Sequence, residues 1–128
     1  MNNIIQAFDQ GQLKLPHTTI NFFALNWTDH PIFTGVQLKH LVTAKETCGQ
    51  FSFHLVQIAP NQKIGLHIHE QQLETHEVIG GKGVCINDGV NISYETGTIC
   101  IFPAGIKHEV VAAKEGLFLL AKFFPALC

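Results

Sequence analysis

Residues 66–81 of this 128-residue chain read LHIHEQQLETHEVIGG, a stretch with three histidines and three glutamates. Side chains alternate along a β-strand, so His67 and His69 face the same side and can bind one ion together. Glu74 opens a new run, which a hairpin could fold back beside the two histidines. His108 stands at the head of a later run. Three imidazoles, those of His67, His69 and His108, and the carboxylate of Glu74 are therefore candidate metal ligands.

The spacing of these residues is more informative than any one of them. Imidazole and carboxylate ligands suit zinc, iron, nickel, cobalt or manganese, but a His-x-His pair alone is weak evidence. The full pattern has two blocks, His67-x-His69-x4-Glu74-x6-Gly81 and Gly97-x5-Pro103-x-Gly105-x2-His108. Eight residue types stand at fixed offsets, none commoner than roughly 7% on average, which makes coincidence negligible.

These two blocks resemble the two sequence motifs of the cupin superfamily, and the resemblance covers about residues 35–123. It implies an all-β fold, a double-stranded β-helix or jelly-roll barrel, with residues 1–128 forming a single cupin domain. It also implies one divalent transition metal ion, Fe, Ni, Zn, Mn or Co, held by the residues that match the motif ligands. Those residues are His67, His69, Glu74 and His108.

Two positions depart from the family pattern, and neither is a ligand. Asn61 stands where the first motif usually begins with glycine, and asparagine is the next best residue at a left-handed turn. Ala112 stands where the second motif often ends with asparagine. We therefore expect metal binding to be intact and the local rim of the site to differ.

Turn signals separate ten short runs of strand length, rich in Phe, Val, Ile and Thr. The predicted strands are Ile20–Leu25, Val36–Thr43, Phe51–Ile58, Lys63–His69, Glu74–Ile79, Gly83–Asn87, Val90–Tyr94, Thr98–Phe102, His108–Ala112 and Leu117–Phe123. Ten short strands in about a hundred residues indicate a β-sandwich or a small barrel. The one stretch with helical spacing is Asn2–Phe8.

The charge pattern argues against several classes of partner. All eight Lys and Arg residues are lysines, and they form no basic stripe. Without an arginine fork, nucleic-acid binding is not expected. No apolar run approaches the roughly 20 residues of a membrane-spanning helix, and no signal peptide is recognisable. The four cysteines lack paired spacing, which favours reduced thiols. We expect a soluble cytoplasmic protein with no membrane partner.

The low charge content also bears on assembly. Charged residues make up 14% of the chain, against roughly 25% on average. Strands with few charges on either face fit a barrel with an apolar interior and a second buried surface. The apolar segment 117–125 fits either a dimer interface or an inner strand of a single barrel. We expect a homodimer, because a monomer would expose this apolar surface to water.

Two further histidines stand near the ligands in sequence or in strand pattern. His76 follows Glu74 by two residues, so it faces the same way and is the candidate catalytic residue, as a general base or as a hydrogen-bond donor to a ligand. A purely structural histidine is the alternative. The direction of the His54 side chain depends on which sheet its strand joins, so the sequence allows it either to line the pocket or to point away from it.

Other polar and aromatic residues are expected to have ordinary structural roles. His17, His30 and His40 lie outside both motifs and are predicted at the surface or satisfied in the core. Single aromatic residues with polar tips usually anchor strand packing. Glu77 has the opposite parity to Glu74 and should point outward. The residues given these roles are His17, His30, His40, Trp27, Tyr94, Glu70 and Glu77.

Two functional classes follow from these features. The first is a small metal-dependent enzyme, a dioxygenase, isomerase or lyase, acting on a small, mostly uncharged molecule. Missing arginines argue against anionic substrates held by an arginine fork, and the Phe, Ile and Val content favours an apolar or phenolic ligand. The second is a binding or sensing module in which the barrel holds a metal or small ligand without chemistry.

Overall fold

Residues 3–128, the part of the chain that the computed structural model describes, contain ten strands, two short helices and one 3-10 turn. The chain begins with helix α1, a β-hairpin and the 3-10 turn, and continues with eight strands that build the main sheet. In chain order the elements are α1 (Asn3–Asp9), β1 (Gln12–Leu15), β2 (Thr18–Asn21), the 3-10 turn (Phe22–Ala24), β3 (Thr28–Asp29), β4 (Val36–Val42), α2 (Ala44–Thr47), β5 (Ser52–Ile58), β6 (Lys63–His67), β7 (Leu73–Asn87), β8 (Val90–Glu95), β9 (Ile99–Phe102) and β10 (His108–Phe124).

The main sheet is built around the two longest strands. Six strands lie side by side in the order β3-β4-β5-β10-β7-β8, and two short strands complete the sheet, β6 beside β10 and β9 beside β7. All pairings are antiparallel. Strands β7 and β10 are long enough to pair with different partners at their two ends, as a jelly-roll barrel requires. The expected all-β barrel is confirmed.

Strands β7 and β10 correct the predicted boundaries. The sequence predicts a break at the glycines of 80–81 and another near Gly116, yet each strand runs through its break. The β7–β10 register shifts between Ala112 and Leu117, where Gly81 and Gly116 take positive φ angles of 76° and 78°. A Cβ on Gly81 would lie 2.1 Å from the Gly116 carbonyl oxygen. These glycines therefore form a β-bulge that bends the strands without ending them.

Shorter elements also differ from the prediction. The predicted strand Ile20–Leu25 is the end of β2 followed by the 3-10 turn, while β1, β3 and α2 were not predicted. The predicted helix over residues 2–8 is confirmed as α1 for its described part, and Asn2 lies outside the described residues. Asn61 has a φ of 62°, so it takes the left-handed turn expected where the family has glycine.

Buried apolar side chains form two clusters on opposite faces of the sheet. The larger fills the barrel and includes Leu117 and Leu119 of β10. The smaller lies on the outer face, where Leu55 and Leu120 pack with Ile5 of α1 and with Phe22. The N-terminal segment therefore covers part of the outer face that we expected a partner subunit to cover. Segment 117–125 contributes an inner strand of the barrel.

A buried ion pair joins the N-terminal segment to the barrel. Nζ of Lys39 on β4 lies 2.8 Å from Oδ1 of Asp9, and the Lys39 side chain is almost fully buried. Trp27 Nε1 donates to the same carboxylate oxygen at 2.9 Å. Because a buried ammonium group needs a partner, this contact fixes where α1 ends against the sheet.

None of the helices among residues 3–128 has the length and apolar character needed to cross a membrane. All four cysteines are free thiols, Cys85 and Cys100 buried, Cys48 and Cys128 exposed.

Candidate metal centre

Three strands bring the four predicted ligands together. His67 ends β6, His108 begins β10, and the two residues are paired in register. Glu74 is the second residue of β7, which pairs with β10 on its other edge. His69 lies beyond the end of β6 rather than within it, which corrects the predicted strand Lys63–His69. Ligand atoms of all four residues nevertheless lie within 4.8 Å of one another.

Backbone hydrogen bonds orient two of the imidazole rings. Nδ1 of His67 lies 2.7 Å from the Gly65 carbonyl oxygen, and Nδ1 of His108 lies 3.0 Å from that of Ile106. A carbonyl oxygen only accepts, so each Nδ1 carries the proton and donates it. The Nε2 lone pair of a neutral ring is then free to coordinate. This is how proteins fix the tautomer of a metal-binding histidine.

Glu74 is the charged centre of the cluster and is only 5% exposed. Its Oε1 lies 2.8 Å from Nε2 of His108 and 3.7 Å from Nε2 of His69, and its Oε2 lies 2.9 Å from Nε2 of His76. Burial by itself would raise the pKa of this carboxyl group, but the electrostatic effect of the neighbouring His76 and hydrogen bonding with His108 and His76 hold that pKa well below its usual range. Glu74 is therefore a carboxylate at neutral pH.

The contact between His108 and Glu74 tests whether this set fits a metal ion. With Nδ1–H donated to a carbonyl, a neutral His108 ring would direct its Nε2 lone pair at a carboxylate oxygen only 2.8 Å away. Such a contact is stable only when a cation, either a proton or a metal ion, lies between the two atoms. Three imidazoles and a carboxylate are a ligand set for borderline divalent transition metals. The donor set therefore fits such an ion.

Two of the imidazoles are neutral at neutral pH. Burial lowers the pKa of His67 from 6.5 to about 4, and it also lowers the pKa of His69. Neutral imidazole is the form that coordinates a metal, so little proton competition is expected at these two rings.

His76 lies behind Glu74, on the side predicted from strand alternation. Its Nε2 lies 2.9 Å from Glu74 Oε2, and its Nδ1 lies 3.0 Å from the Tyr94 hydroxyl. Burial, with smaller effects of Cys85 and Cys100, raises the pKa of Tyr94 far above its usual range, so its O–H donates to Nδ1. The Nε2–H of His76 then donates to the carboxylate. Tyr94, expected only as a packing anchor, is thus linked to the cluster.

A cavity of about 320 Å³ opens onto the cluster. Its walls are mainly apolar, and the titratable side chains that line it are four histidines and Glu74, with no lysine among them. His30 lies at this cavity, although its sequence position gave no signal for that, and its Nδ1 accepts from the backbone N–H of Ile32 and of Phe33. Phe123 packs edge-on against His69, with ring centroids 5.0 Å apart.

The remaining candidates lie away from this cavity. His54 is fully buried but pairs with His40, 2.7 Å between their Nδ1 atoms, and does not line the pocket. His17 and Glu70 are exposed as expected. Glu77 points away from the cluster and pairs with Lys122.

The fold and the cluster together agree with a direct family match. The cupin domain family model matches residues 54–120, which is more than half of the 128-residue chain. This protein therefore belongs to the cupin family and is a small cupin. Cupins commonly bind a metal, and the cluster of three histidines and Glu74 could hold one.

Individual relatives are distant. The chain is 25% identical over 76 residues to an oxalate-binding protein of Thermotoga maritima, an alignment that covers 59% of this chain and 63% of that protein. It thus spans less than two thirds of that relative. An RmlC-like cupin from Shewanella frigidimarina superposes with a TM-score of 0.73 at 19% identity, covering 91% of this chain and 95% of that one. A "predicted oxalate decarboxylase" from Thermotoga maritima superposes with a TM-score of 0.71 at 22% identity, covering 79% and 91%. These similarities support the fold.

Proposed function

We propose that this cupin binds one divalent transition metal ion through His67, His69, Glu74 and His108, and that it is a small metal-dependent enzyme. The observation that carries the proposal is the convergence of four ligand atoms within 4.8 Å at an apolar cavity. Glu74 is a buried carboxylate, and a cation is needed between it and His108. Dioxygenase, isomerase and lyase reactions all fit this site.

The chemistry that a bound ion supplies is Lewis acidity, together with oxygen chemistry if the metal is iron. The protein contributes three neutral imidazoles and one carboxylate, so the complex with a divalent ion keeps a net charge near +1. If the ion is octahedral, these four protein ligands would leave two positions for a chelating molecule. A substrate bound there would be oriented through one or two of its oxygen atoms.

The cavity restricts the class of substrate. A volume of about 320 Å³ admits only a small molecule. Its apolar wall includes Phe33, Val56 and Phe123, and no lysine lines it. Because no ammonium group is present to pair with a second negative charge, the substrate we propose is small and mostly uncharged, apolar or phenolic, with one or two oxygen donors.

His76 is the proposed proton-transfer residue of this site. Its ring lines the cavity and connects Glu74 to Tyr94 through two hydrogen bonds. In the tautomer described above, Nε2–H of His76 faces Glu74, so the proton that this ring can move is the one on Nε2, and it can move toward the carboxylate. The alternative role of His76 is to hold the carboxylate in position.

A second candidate function is a binding module that holds a small ligand without turnover. The name of the curated relative, an oxalate-binding protein, favours this candidate. The two functions differ in what happens to a bound molecule, because a module releases it unchanged.

Turnover and binding measured on the same molecules separate the two functions. The metal-loaded protein is assayed with a panel of small oxygen-donor compounds, under oxygen and without it, and product is measured beside calorimetric binding. An enzyme gives product that is lost in His67→Ala. Binding at a defined stoichiometry with every compound recovered unchanged would refute the enzyme and support the module. If no neutral phenol or hydroxyketone in the panel is bound or turned over, the proposed substrate class is refuted.

A further inference from the structure

A second cluster of potential ligands lies outside the cavity. Nδ1 of His40 and Nδ1 of His54 are 2.7 Å apart, and the thiol of Cys128 completes a group whose ligand atoms lie within 4.8 Å of one another. His40 on β4 and His54 on β5 are direct partners in the antiparallel register. Two rigid strands therefore present the two imidazoles side by side.

The ring of His54 is held with one nitrogen available. This residue is fully buried, and its Nε2 lies 2.8 Å from Oγ of Ser52. The same Oγ accepts the backbone N–H of Leu127 at 2.8 Å, and it can accept a second hydrogen bond from Nε2–H. In that tautomer the Nδ1 lone pair points at His40 and Cys128. Metal-binding histidines are commonly oriented in this way.

Backbone hydrogen bonds fix the position of Cys128. Its carbonyl oxygen accepts the N–H of Ala44 at 2.6 Å, and Ala126 N–H donates to the Gly49 carbonyl at 3.1 Å. Cys128 is exposed, whereas His40 is half-buried and His54 fully buried. An ion from solvent can therefore reach the cluster, and only His54 is deeply enclosed.

We propose that His40, His54 and Cys128 bind a second metal ion, Zn²⁺, through two imidazole nitrogens and one thiolate. This ligand set suits a thiophilic, tetrahedral ion, and it leaves a fourth position for water. The ring of Phe123 separates this site from the four-residue centre, with ring centroids 5.6 Å from His54 and 5.0 Å from His69. The inference does not rest on the proposed function.

Zinc binding requires a small movement and one proton release. Zn–N bonds of about 2.05 Å at a tetrahedral angle place two nitrogens about 3.3 Å apart, wider than the present 2.7 Å. His40 is half-buried and can rotate outward. With the His54 proton on Nε2, the proton between the two Nδ1 atoms belongs to His40, and on zinc binding it moves to Nε2 of His40, so both rings stay neutral. The thiol of Cys128 loses its proton to solvent as the Zn–S bond forms.

Before zinc binds, the two histidines are neutral and the thiol of Cys128 carries the proton that zinc binding releases. Burial, followed by the effect of His40, lowers the pKa of His54 to about 4, and burial also lowers the pKa of His40. Both rings are therefore neutral at neutral pH. Burial raises the pKa of Cys128, so the free thiol is protonated until a metal displaces the proton.

Cobalt distinguishes the two sites, because only a sulfur ligand gives a near-ultraviolet thiolate-to-cobalt charge-transfer band. The full chain, kept reduced, is titrated with Co²⁺ as a probe and then with Zn²⁺ as a competitor. We expect two Co²⁺ per chain, with one charge-transfer chromophore that Zn²⁺ removes. A His67→Ala, His108→Ala double variant should keep the band and bind one ion fewer, which separates this inference from the four-residue centre.

Variants of the second cluster decide the assignment. Cys128→Ser and His40→Gln should lose the band and one Co²⁺ per chain, and both change side chains that are not fully buried, so we expect both variants to fold. Cys48→Ser, at the other exposed thiol, is the matched control and should keep the band. Absence of the band in the unmodified chain at excess Co²⁺, its persistence in Cys128→Ser, or its loss in Cys48→Ser would overturn the proposal.

Discussion

Nε2 of His108 lies 2.8 Å from Oε1 of Glu74, although the two residues are 34 positions apart in the sequence. Each belongs to a different block of the sequence pattern, and the pairing of β10 with β6 and β7 brings the blocks together. The contact joins a buried carboxylate to an imidazole ring whose Nδ1–H already donates a hydrogen bond to the Ile106 carbonyl oxygen. The contact therefore fits a cation, either a proton or a metal ion, between the two atoms.

The role of His76 can be tested by replacing it with phenylalanine. The expectation from sequence alone is that His76→Phe is nearly neutral or mildly stabilising if the ring is structural. The structure changes this expectation, because the variant would leave Glu74 Oε2 without the hydrogen bond from His76 and would remove the contact of His76 Nδ1 with the Tyr94 hydroxyl. A buried polar group without a partner costs about 1–3 kcal/mol, so the free energy of unfolding in urea should fall.

Activity separates the two roles of His76. If the ring transfers a proton, His76→Phe should retain the metal and lower kcat by roughly a hundredfold or more, with loss of one limb of the pH profile. His76→Gln, which keeps an amide donor toward Glu74, should restore stability but not the rate. An unchanged rate with full metal occupancy in either variant would eliminate the catalytic role.

Acid is expected to destabilise the metal-free protein between about pH 6.5 and pH 4. Burial lowers the pKa of both His54 and His67 to about 4 in the folded chain, while the unfolded rings keep about 6.5. In this window the unfolded chain binds more protons, so the free energy of unfolding falls as pH falls. Urea denaturation in chelator at about pH 7 and about pH 5 measures the effect. His54→Gln should reduce the slope, and equal stabilities at the two pH values would contradict the assignment.

Light scattering tests the predicted homodimer. Ile99 and Ile101 on β9 are 69% and 55% exposed, and they stand on one side of a strand at the margin of the sheet. Burying them against a second copy would remove this apolar surface from water. We expect a mass near twice the 14.2 kDa of one chain, reduced to one chain by Ile99→Asp with Ile101→Asp. Phe23→Ser, an exposed change outside this strand, is the control. A mass near 14.2 kDa for the unmodified chain would refute the dimer.

The buried ion pair between Lys39 and Asp9 predicts a stability effect far from the metal centre. Asp9→Ala would leave the ammonium group of Lys39 buried without its carboxylate. Removing one partner of a buried ion pair typically lowers the free energy of unfolding by about 3–5 kcal/mol. Because Asp9 is partly exposed, we expect Asp9→Ala to lie near the lower end of that range. Urea denaturation measures the loss. Lys39→Met with Asp9→Ala should recover most of it, and no loss in the single variant would contradict the assigned role of the pair.

The four clustered residues and the barrel could be predicted because the two blocks of sequence resemble the cupin motifs, and that resemblance implies both. His67, His69, Glu74 and His108 stand at fixed offsets, and the alternation that brought Glu74 and His76 to one face holds within β7. His69 reached the cluster from outside β6, so the argument from strand alternation did not apply to it.

Long-range packing explains what the sequence did not indicate. The bulge at Gly81 and Gly116 depends on two strands meeting, so glycines that read as turns became bends within β7 and β10. His30 and Tyr94 join the site through contacts with residues far away in the chain, and nothing in their local pattern marks them. The covering of the outer face by Ile5 and Phe22 likewise follows from tertiary packing.

Metal content measured by elemental analysis tests the central claim most directly. The protein is loaded with one metal at a time and dialysed, in a Cys128→Ser background that removes the second proposed site. We expect one ion per chain, lost in His67→Ala and in His108→Ala, and weakened less in Glu74→Gln because an amide oxygen can still coordinate. His17→Ala, at an exposed histidine, is the control and should keep the ion. Full metal occupancy in His67→Ala, or no ion in the parent protein with any of the five metals, would contradict the account.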